Sequence, residues 1–191
     1  FDADGQPTFR APRRPVTLRH LLTHSAGFSY EIWNPDIARY QQATGVPSVT
    51  SCETRALELP LLFDPGERWE YGINTDWVGR VVEAATGQRL DAVFAERITG
   101  PLGMKDTAFL PGVEQRSRRA GMHSRAADGT LSVIDWPVNE AAEFHGGGGG
   151  LYSTVPDYAR FLRALLRGGE LDGARVLRPE TVALMGENHI G

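Results

Sequence analysis

The chain has 191 residues, a formal net charge of −4 and a hydrophobic share of 41%, a balance that argues against disorder and suits one domain with a core of its own. No apolar run approaches the roughly 20 residues of a membrane-spanning helix, the N-terminus lacks the charged and apolar regions of a signal peptide, and the acidic balance argues against a nucleic-acid partner. Cys52 is the only cysteine, so no internal disulfide and no cysteine-based metal motif is expected.

The first predicted helix follows Thr17 as N-cap, carries Leu18, Leu21 and Leu22, and ends near Gly27. A second covers Asp36 to Ala43 and closes at Gly45. Thr50 with Glu53 forms a capping-box signature before Ala56, Leu57 and Leu59, which predicts a third helix ending at Pro60. A fourth carries Trp77, Val78, Val81, Val82 and Ala85 at helical spacing with Gly87 as its stop, and Leu90, Val93, Phe94 and Ile98 repeat the pattern in a partner helix ended by Pro101 and Gly103. Two short runs flanking Asp128 and Gly129 predict a β-hairpin. Thr154 with Asp157 caps a helix whose predicted buried face is Val155, Tyr158, Ala159, Leu162, Leu165 and Leu166. A turn at Asp172 and Gly173 leads to a last helix from Pro179 to Met185. There is no internal repeat and no linker long enough to part the chain, so residues 1–191 read as one helix-rich unit.

Residues 60–79, PLLFDPGERWEYGINTDWVG, carry the strongest chemical signal. The turn at Asp64, Pro65 and Gly66 reverses the chain after Leu61, Leu62 and Phe63, and Tyr71 falls at the junction with the fourth helix, where a rigid element can hold a reactive hydroxyl in the open. A phenol works as a base only if it ionises near neutral pH, and bringing its reference pKa of about 10 down to about 7 requires roughly 4 kcal/mol of preferential stabilisation, ordinarily from a nearby cation. Arg68 is the local candidate.

This stretch, with VTLRHLLTHSAGF (residues 16–28), ITGPLGMKDTAF (98–109) and HGGGGGLYSTVPDYARFLRALL (145–166), resembles the superfamily of class C β-lactamases, DD-peptidases and family VIII carboxylesterases. The resemblance implies an α+β, helix-dominated fold: the central portion of the serine β-lactamase/DD-peptidase-like architecture, with most of its main antiparallel sheet outside this chain. In that family an S-x-x-K motif supplies a nucleophilic serine and a lysine, and a Y-x-N or Y-x-x motif supplies a tyrosine, matched here by Tyr71. No S-x-x-K occurs. Lys105 is the only lysine, and Leu102 stands three places before it. The chain also opens on Phe1 and stops after NHIG, so it reads as an internal piece, with the remainder of the parent chain expected to carry S-x-x-K.

The resemblance also implies a substrate class. β-Lactamases and DD-peptidases look for asparagine two residues beyond the tyrosine, where this chain has Ile73. Asn74 comes one place late and reads as a helix N-cap. The spacing from Tyr71 through Asp76 to Gly79 resembles the esterase form Y-x-x-x-x-D-x-x-G. A small-molecule ester is therefore expected ahead of an amide, and Ile73, Tyr30, Glu31 and Trp136 are expected to contact it. The alternatives are a β-lactamase or D-amino-acid peptidase, and a non-catalytic penicillin-recognition relative. No metal or organic cofactor is implied.

Three other features invite chemistry. Ser25 in THSAG lacks the first glycine and the preceding strand of a nucleophile elbow, so it reads as structural. His20 and His24, four apart, have no carboxylate at metal-site spacing, and a polar or core role is expected. His145 with the five glycines after it invites an oxyanion loop of the HGGG type or a phosphate cradle, but it lacks the Gly-Lys-Ser/Thr of a phosphate loop, and the resemblance implies a close-packed backbone passage beside the site.

Overall fold

Residues 1–190 are described by a computed structural model. Helices α1 (Leu18–Leu22), α2 (Pro35–Thr44), α3 (Asn74–Thr86), α4 (Leu90–Phe94), α5 (Val113–Ser117), α6 (Val155–Leu166) and α7 (Pro179–Met185) carry most of the ordered backbone. Two antiparallel hairpins complete it, β1 (Met122–Arg125) with β2 (Leu131–Ile134) and β3 (Glu170–Leu171) with β4 (Ala174–Arg175). Among the described residues there is no larger sheet, and no helix is long and apolar enough to cross a membrane.

Capping chemistry sets several boundaries. The Thr17 hydroxyl accepts from His20 N at 3.2 Å while His20 Nδ1 accepts from Thr17 N, closing a reciprocal box on α1. Asn34 caps α2 by accepting from the amides of Asp36 and Ile37, and Gly45 ends it. Thr154 caps α6 through Asp157 N. In the first hairpin Met122 pairs with Ile134 and Arg125 with Leu131 across the turn at Asp128 and Gly129.

The main core gathers Leu21, Phe28, Ile37, Leu57, Ile73 and Phe144, bringing α1 and α2 against the start of α3. A smaller cluster of Leu102, Met104, Ala164 and Leu171 seats α6 against the chain that follows α4. At about 1.5–3 kcal/mol for each large apolar side chain fully buried, the first cluster is what fixes the floor under residues 70–76.

Four expectations are corrected. The predicted third helix is replaced by two 3₁₀ turns, Val49–Ser51 and Thr54–Leu57. Cys52 between them adopts a left-handed conformation, φ 57°, and Glu53 makes no side-chain cap, so the helix never propagates. The partner helix is α-helical only through Phe94 and continues as a π-helical turn, Ala95–Thr99, before Pro101. In α3 the fully covered residues are Asn74, Asp76 and Gly79, whereas of the predicted apolar stripe Trp77, Val78 and Val82 are half-buried and Val81 and Ala85 are exposed. In α6 the predicted face is the exposed one. Val155 and Leu166 are 84% and 87% exposed, and the docking face is instead Asp157, Arg160, Phe161 and Ala164. Hydrogen bonding decides that orientation: Asp157 accepts from Asp106 N at 2.7 Å and from the Thr107 hydroxyl at 2.9 Å, and Arg160 donates to the Leu102 carbonyl.

The turn that presents Tyr71 is anchored by charge. Asp64, almost fully covered, accepts from both terminal nitrogens of Arg10 at 2.9 and 2.8 Å and from Arg13 N at 2.8 Å. Hydrogen bonds from Arg10, then from Arg13, hold its carboxyl at about 2. The folded-state pKa is below the unfolded value of about 3.9. Asp64 therefore contributes stability that is fully present above about pH 4 and is lost as pH falls through about 2. Melting temperatures measured between pH 5 and 2 are expected to fall more shallowly in Asp64→Asn than in the parent protein.

Candidate active site

Segment 60–71 is tied to segment 24–28 by backbone hydrogen bonds. Leu62 N donates to Gly27 O at 2.9 Å, Gly66 N to Ser25 O at 2.7 Å and Glu70 N to His24 O at 2.8 Å. At Gly72 the two segments touch: a Cβ there would lie 2.4 Å from Ser29 Cα and 2.6 Å from Phe28 O, closer than any side chain tolerates. The next residue, Ile73, is fully buried, and α3 begins. Tyr71 is thus held between a backbone contact and a helix start, with its own side chain 43% exposed.

Two rings flank it. Tyr30 meets it edge-on with centroids 5.3 Å apart, and His24 lies against it at 4.9 Å with a 41° tilt. Among the described residues the Tyr71 hydroxyl makes no hydrogen bond, and it opens onto a cleft of about 1640 Å³. Tyr30, Glu31, Asp76 and Trp136 line the same cleft. Expected contacts at Tyr30, Glu31 and Trp136 therefore face one space with Tyr71.

The expectation for Ile73 is corrected. Its side chain is 0% exposed and packed with Phe28 and Phe144 in the core, so it braces the junction from beneath and does not line the cleft. Asn74 is no N-cap either. It is the first residue of α3, fully buried, and its amide Nδ2 donates to His24 Nδ1 at 3.1 Å. Arg68 is engaged away from the expected role, pairing with Glu70 at 3.3 Å and lying 4.1 Å over the Phe63 ring. A buried isoleucine and a buried asparagine in this loop carry no sequence signal that distinguishes floor from wall.

Asp76 and His24 are the neighbours that sequence reasoning left out of the site. The Asp76 carboxylate, 4% exposed, accepts from the Tyr30 hydroxyl at 3.4 Å and from Gly148 N at 3.1 Å. Burial pushes its pKa up, opposed by the hydrogen bonds from Gly148 and Tyr30. Burial, with the Asp76 charge and then Tyr71 adding to it, also pushes the Tyr30 phenol up, so Tyr30 stays a protonated donor. The position of Asp76 one turn into a helix after the tyrosine was the available signal.

The glycine run closes this side of the cleft. A Cβ on Gly147 would meet Thr75 O at 2.1 Å and Gly79 N at 3.0 Å, and Cβ atoms on Gly146 and Gly148 would each press the Asp76 carboxylate at 3.0 Å. The run is a backbone laid directly on α3. His145 before it is buried, with Nε2 2.9 Å from Arg89 Nη2 and 3.3 Å from Asp91 Oδ2, and stacks on Phe109 with centroids 4.7 Å apart. Ser25 follows α1 and its hydroxyl is 2.9 Å from that of Thr23. Among the described residues no group of three or more His, Cys, Asp or Glu is placed to hold a metal ion.

With this geometry in hand, three comparisons with known proteins bear on the chain. The profile of the Beta-lactamase family matches residues 6–189. The chain is 37% identical to "Acyltransferase mokF" of Monascus pilosus, over 97% of its own length and 45% of that protein. It is 36% identical to "Lovastatin esterase" of Penicillium rubens, over 100% of its own length and 49% of that protein. Its structure matches "Simvastatin Synthase (LovD)" of Aspergillus terreus with a TM-score of 0.84 at 36% identity, covering 100% of this chain and 47% of that one. It also matches "EstCE1, a hydrolase with promiscuous acyltransferase activity" with a TM-score of 0.74 at 25% identity, covering 94% of this chain and 52% of that one. The chain spans about half the length of the relatives it matches.

Proposed function

We propose, from the premise that this chain belongs to the Beta-lactamase family, that it carries the general base of an acyl-transferring serine hydrolase and that its base is Tyr71. The reading rests above all on one observation: the Tyr71 side chain stands exposed in an open cleft while the backbone at Gly72 and the side chain of Ile73 behind it are closely packed. The nucleophilic serine and its lysine belong to polypeptide outside these 191 residues. The serine oxygen attacks the ester carbonyl as its proton passes to Tyr71, forming a tetrahedral intermediate whose oxyanion is held by hydrogen-bond donors. Collapse expels the alcohol, which takes the proton back from Tyr71, and leaves an acyl-serine. Water, or an acceptor alcohol in its place, then takes the acyl group and frees the serine.

Ester substrates suit the cleft better than amides. Ile73 is committed to the core and Asn74 to His24, so neither presents an amide-holding side chain beside Tyr71. Similarity to proteins named as an acyltransferase and an esterase supports the same choice. The test is a comparison on the full-length protein between p-nitrophenyl butyrate and a chromogenic cephalosporin. A kcat/KM at least about 100-fold higher for the ester is expected, the discrimination of a site that pairs with one substrate class and not the other. A cephalosporin turned over as well as the ester would instead favour the β-lactamase reading.

The isolated 191-residue chain carries the base without its nucleophile. Mixed with p-nitrophenyl acetate it is expected to give no serine-dependent burst, measured as nitrophenolate release against a sample treated with a serine-directed organophosphate. A stoichiometric, inhibitor-sensitive burst would place the nucleophile inside the chain and refute the division of labour.

A further inference from the structure

His24 is tied to the chain on both sides of Tyr71. Its carbonyl accepts from Glu70 N at 2.8 Å, immediately before the tyrosine, and its Nδ1 accepts from Asn74 Nδ2 at 3.1 Å, three residues after it. Between those two attachments its ring lies on the Tyr71 ring at 4.9 Å and also contacts Trp69, with centroids 6.3 Å apart. It does this from a left-handed backbone conformation, φ 53°, which a residue other than glycine adopts at some cost. Asn74, its partner, is fully buried and spends its amide on this contact, leaving Oδ1 without a hydrogen bond. Strain in the backbone and an unsatisfied buried acceptor converge on one pair, and that pair brackets the proposed base.

We infer that His24, held by Asn74, is a positioning residue that fixes the direction of the Tyr71 phenol into the cleft. This rests on the reading of Tyr71 as the base. His24 has no proton to exchange with substrate in this scheme. Burial lowers its pKa, which keeps the imidazole neutral and its Nδ1 lone pair available to the Asn74 amide. The contact sets orientation, so its loss should slow the chemical step while leaving substrate binding intact.

The test uses the full-length enzyme and two substitutions that suit a positive φ. His24→Gly removes the whole side chain without backbone strain. His24→Asn restores an amide oxygen at the place of Nδ1 and tolerates the left-handed region. His24→Gly is expected to lower kcat about ten- to hundredfold with KM within about twofold, the scale of a misdirected reacting group. His24→Asn keeps an acceptor for Asn74 but not the ring on Tyr71, and is expected to recover part of that loss. Unchanged kcat in His24→Gly, whatever happens to its melting temperature, would overturn the inference, as would an Asn variant no better than Gly. Should His24→Gly fail to accumulate, Asn74→Leu removes the amide at similar volume and is expected to lose kcat with KM held. Tyr71→Phe, measured in parallel, separates the two ideas: full activity there sinks the base assignment and this inference together, whereas loss in Tyr71→Phe with none at His24 sinks only this one.

Discussion

Tyr71→Phe in the full-length enzyme is expected to lower kcat/KM for an alkyl ester by about 10²–10⁴-fold, the contribution of a positioned proton-transfer group. Its effect on stability should be within about 0.5 kcal/mol, as for a surface substitution. The hydroxyl makes no hydrogen bond among the described residues, so removing it leaves no buried partner unsatisfied, and the ring keeps its contacts with His24 and Tyr30. Steady-state kinetics with a matched melting curve therefore separates chemistry from folding. A leaving-group series sharpens the result. On the proposed reading Tyr71 both takes the serine proton and returns it to the departing alkoxide, so a p-nitrophenyl ester, whose leaving group departs without a proton, should lose less than an ethyl ester. Equal losses would mean that the phenol does not serve the leaving group.

The second large effect concerns stability and lies in the glycine run. Gly147→Ala places a Cβ 2.1 Å from the Thr75 carbonyl and 3.0 Å from Gly79 N, both backbone atoms of α3 that have no rotamer to escape into. The overpacking should cost about 3 kcal/mol, which for a protein of this size corresponds to a fall in melting temperature of about 6–12 °C. Gly149→Ala is the control, because nothing lies within 4 Å of its Cβ and its backbone is not in the left-handed region. Thermal melts of the two variants should differ by nearly the whole effect. Similar melting temperatures would mean that the run is not laid on α3 as described. Gly72→Ala belongs with Gly147→Ala, since its Cβ would strike Ser29 Cα at 2.4 Å. It should also lose activity per folded molecule, because it displaces the residue next to Tyr71.

The parts of the fold that were legible in sequence are those governed by local chemistry. Asp128 with Gly129 specifies a turn within four residues, and the hairpin forms there. Thr17, Gly45 and Gly87 bound helices through hydrogen bonds and backbone conformations that involve only near neighbours. What failed depended on tertiary partners. The Val155, Tyr158, Leu162 stripe of α6 has the spacing of a core face, yet the bonds of Asp157 to Asp106 and Thr107 turn the helix the other way. Ala56 and Leu57 are buried as their pattern suggests, but from a 3₁₀ turn, since the left-handed Cys52 interrupts any longer helix. The junction at Tyr71 could be read from the Asp64 turn and the helix pattern after it. The burial of Ile73, the bond between His24 and Asn74, and the seat of the glycine run on Asp76 could not. Each joins residues 45 to 72 positions apart by side-chain geometry that has no periodic signature.

The central claim is that one phenol in this chain serves a serine that lies elsewhere in the parent protein. Its most direct test is rapid-mixing of the full-length enzyme with a p-nitrophenyl ester, with the burst followed optically and the quenched protein mapped by peptide mass spectrometry. The account predicts one acyl group per molecule, on a serine outside residues 1–191 within an S-x-x-K sequence, forming at least about 100-fold more slowly in Tyr71→Phe. Acylation of a serine within the chain, such as Ser25, or a burst whose rate is unchanged by Tyr71→Phe, would contradict it.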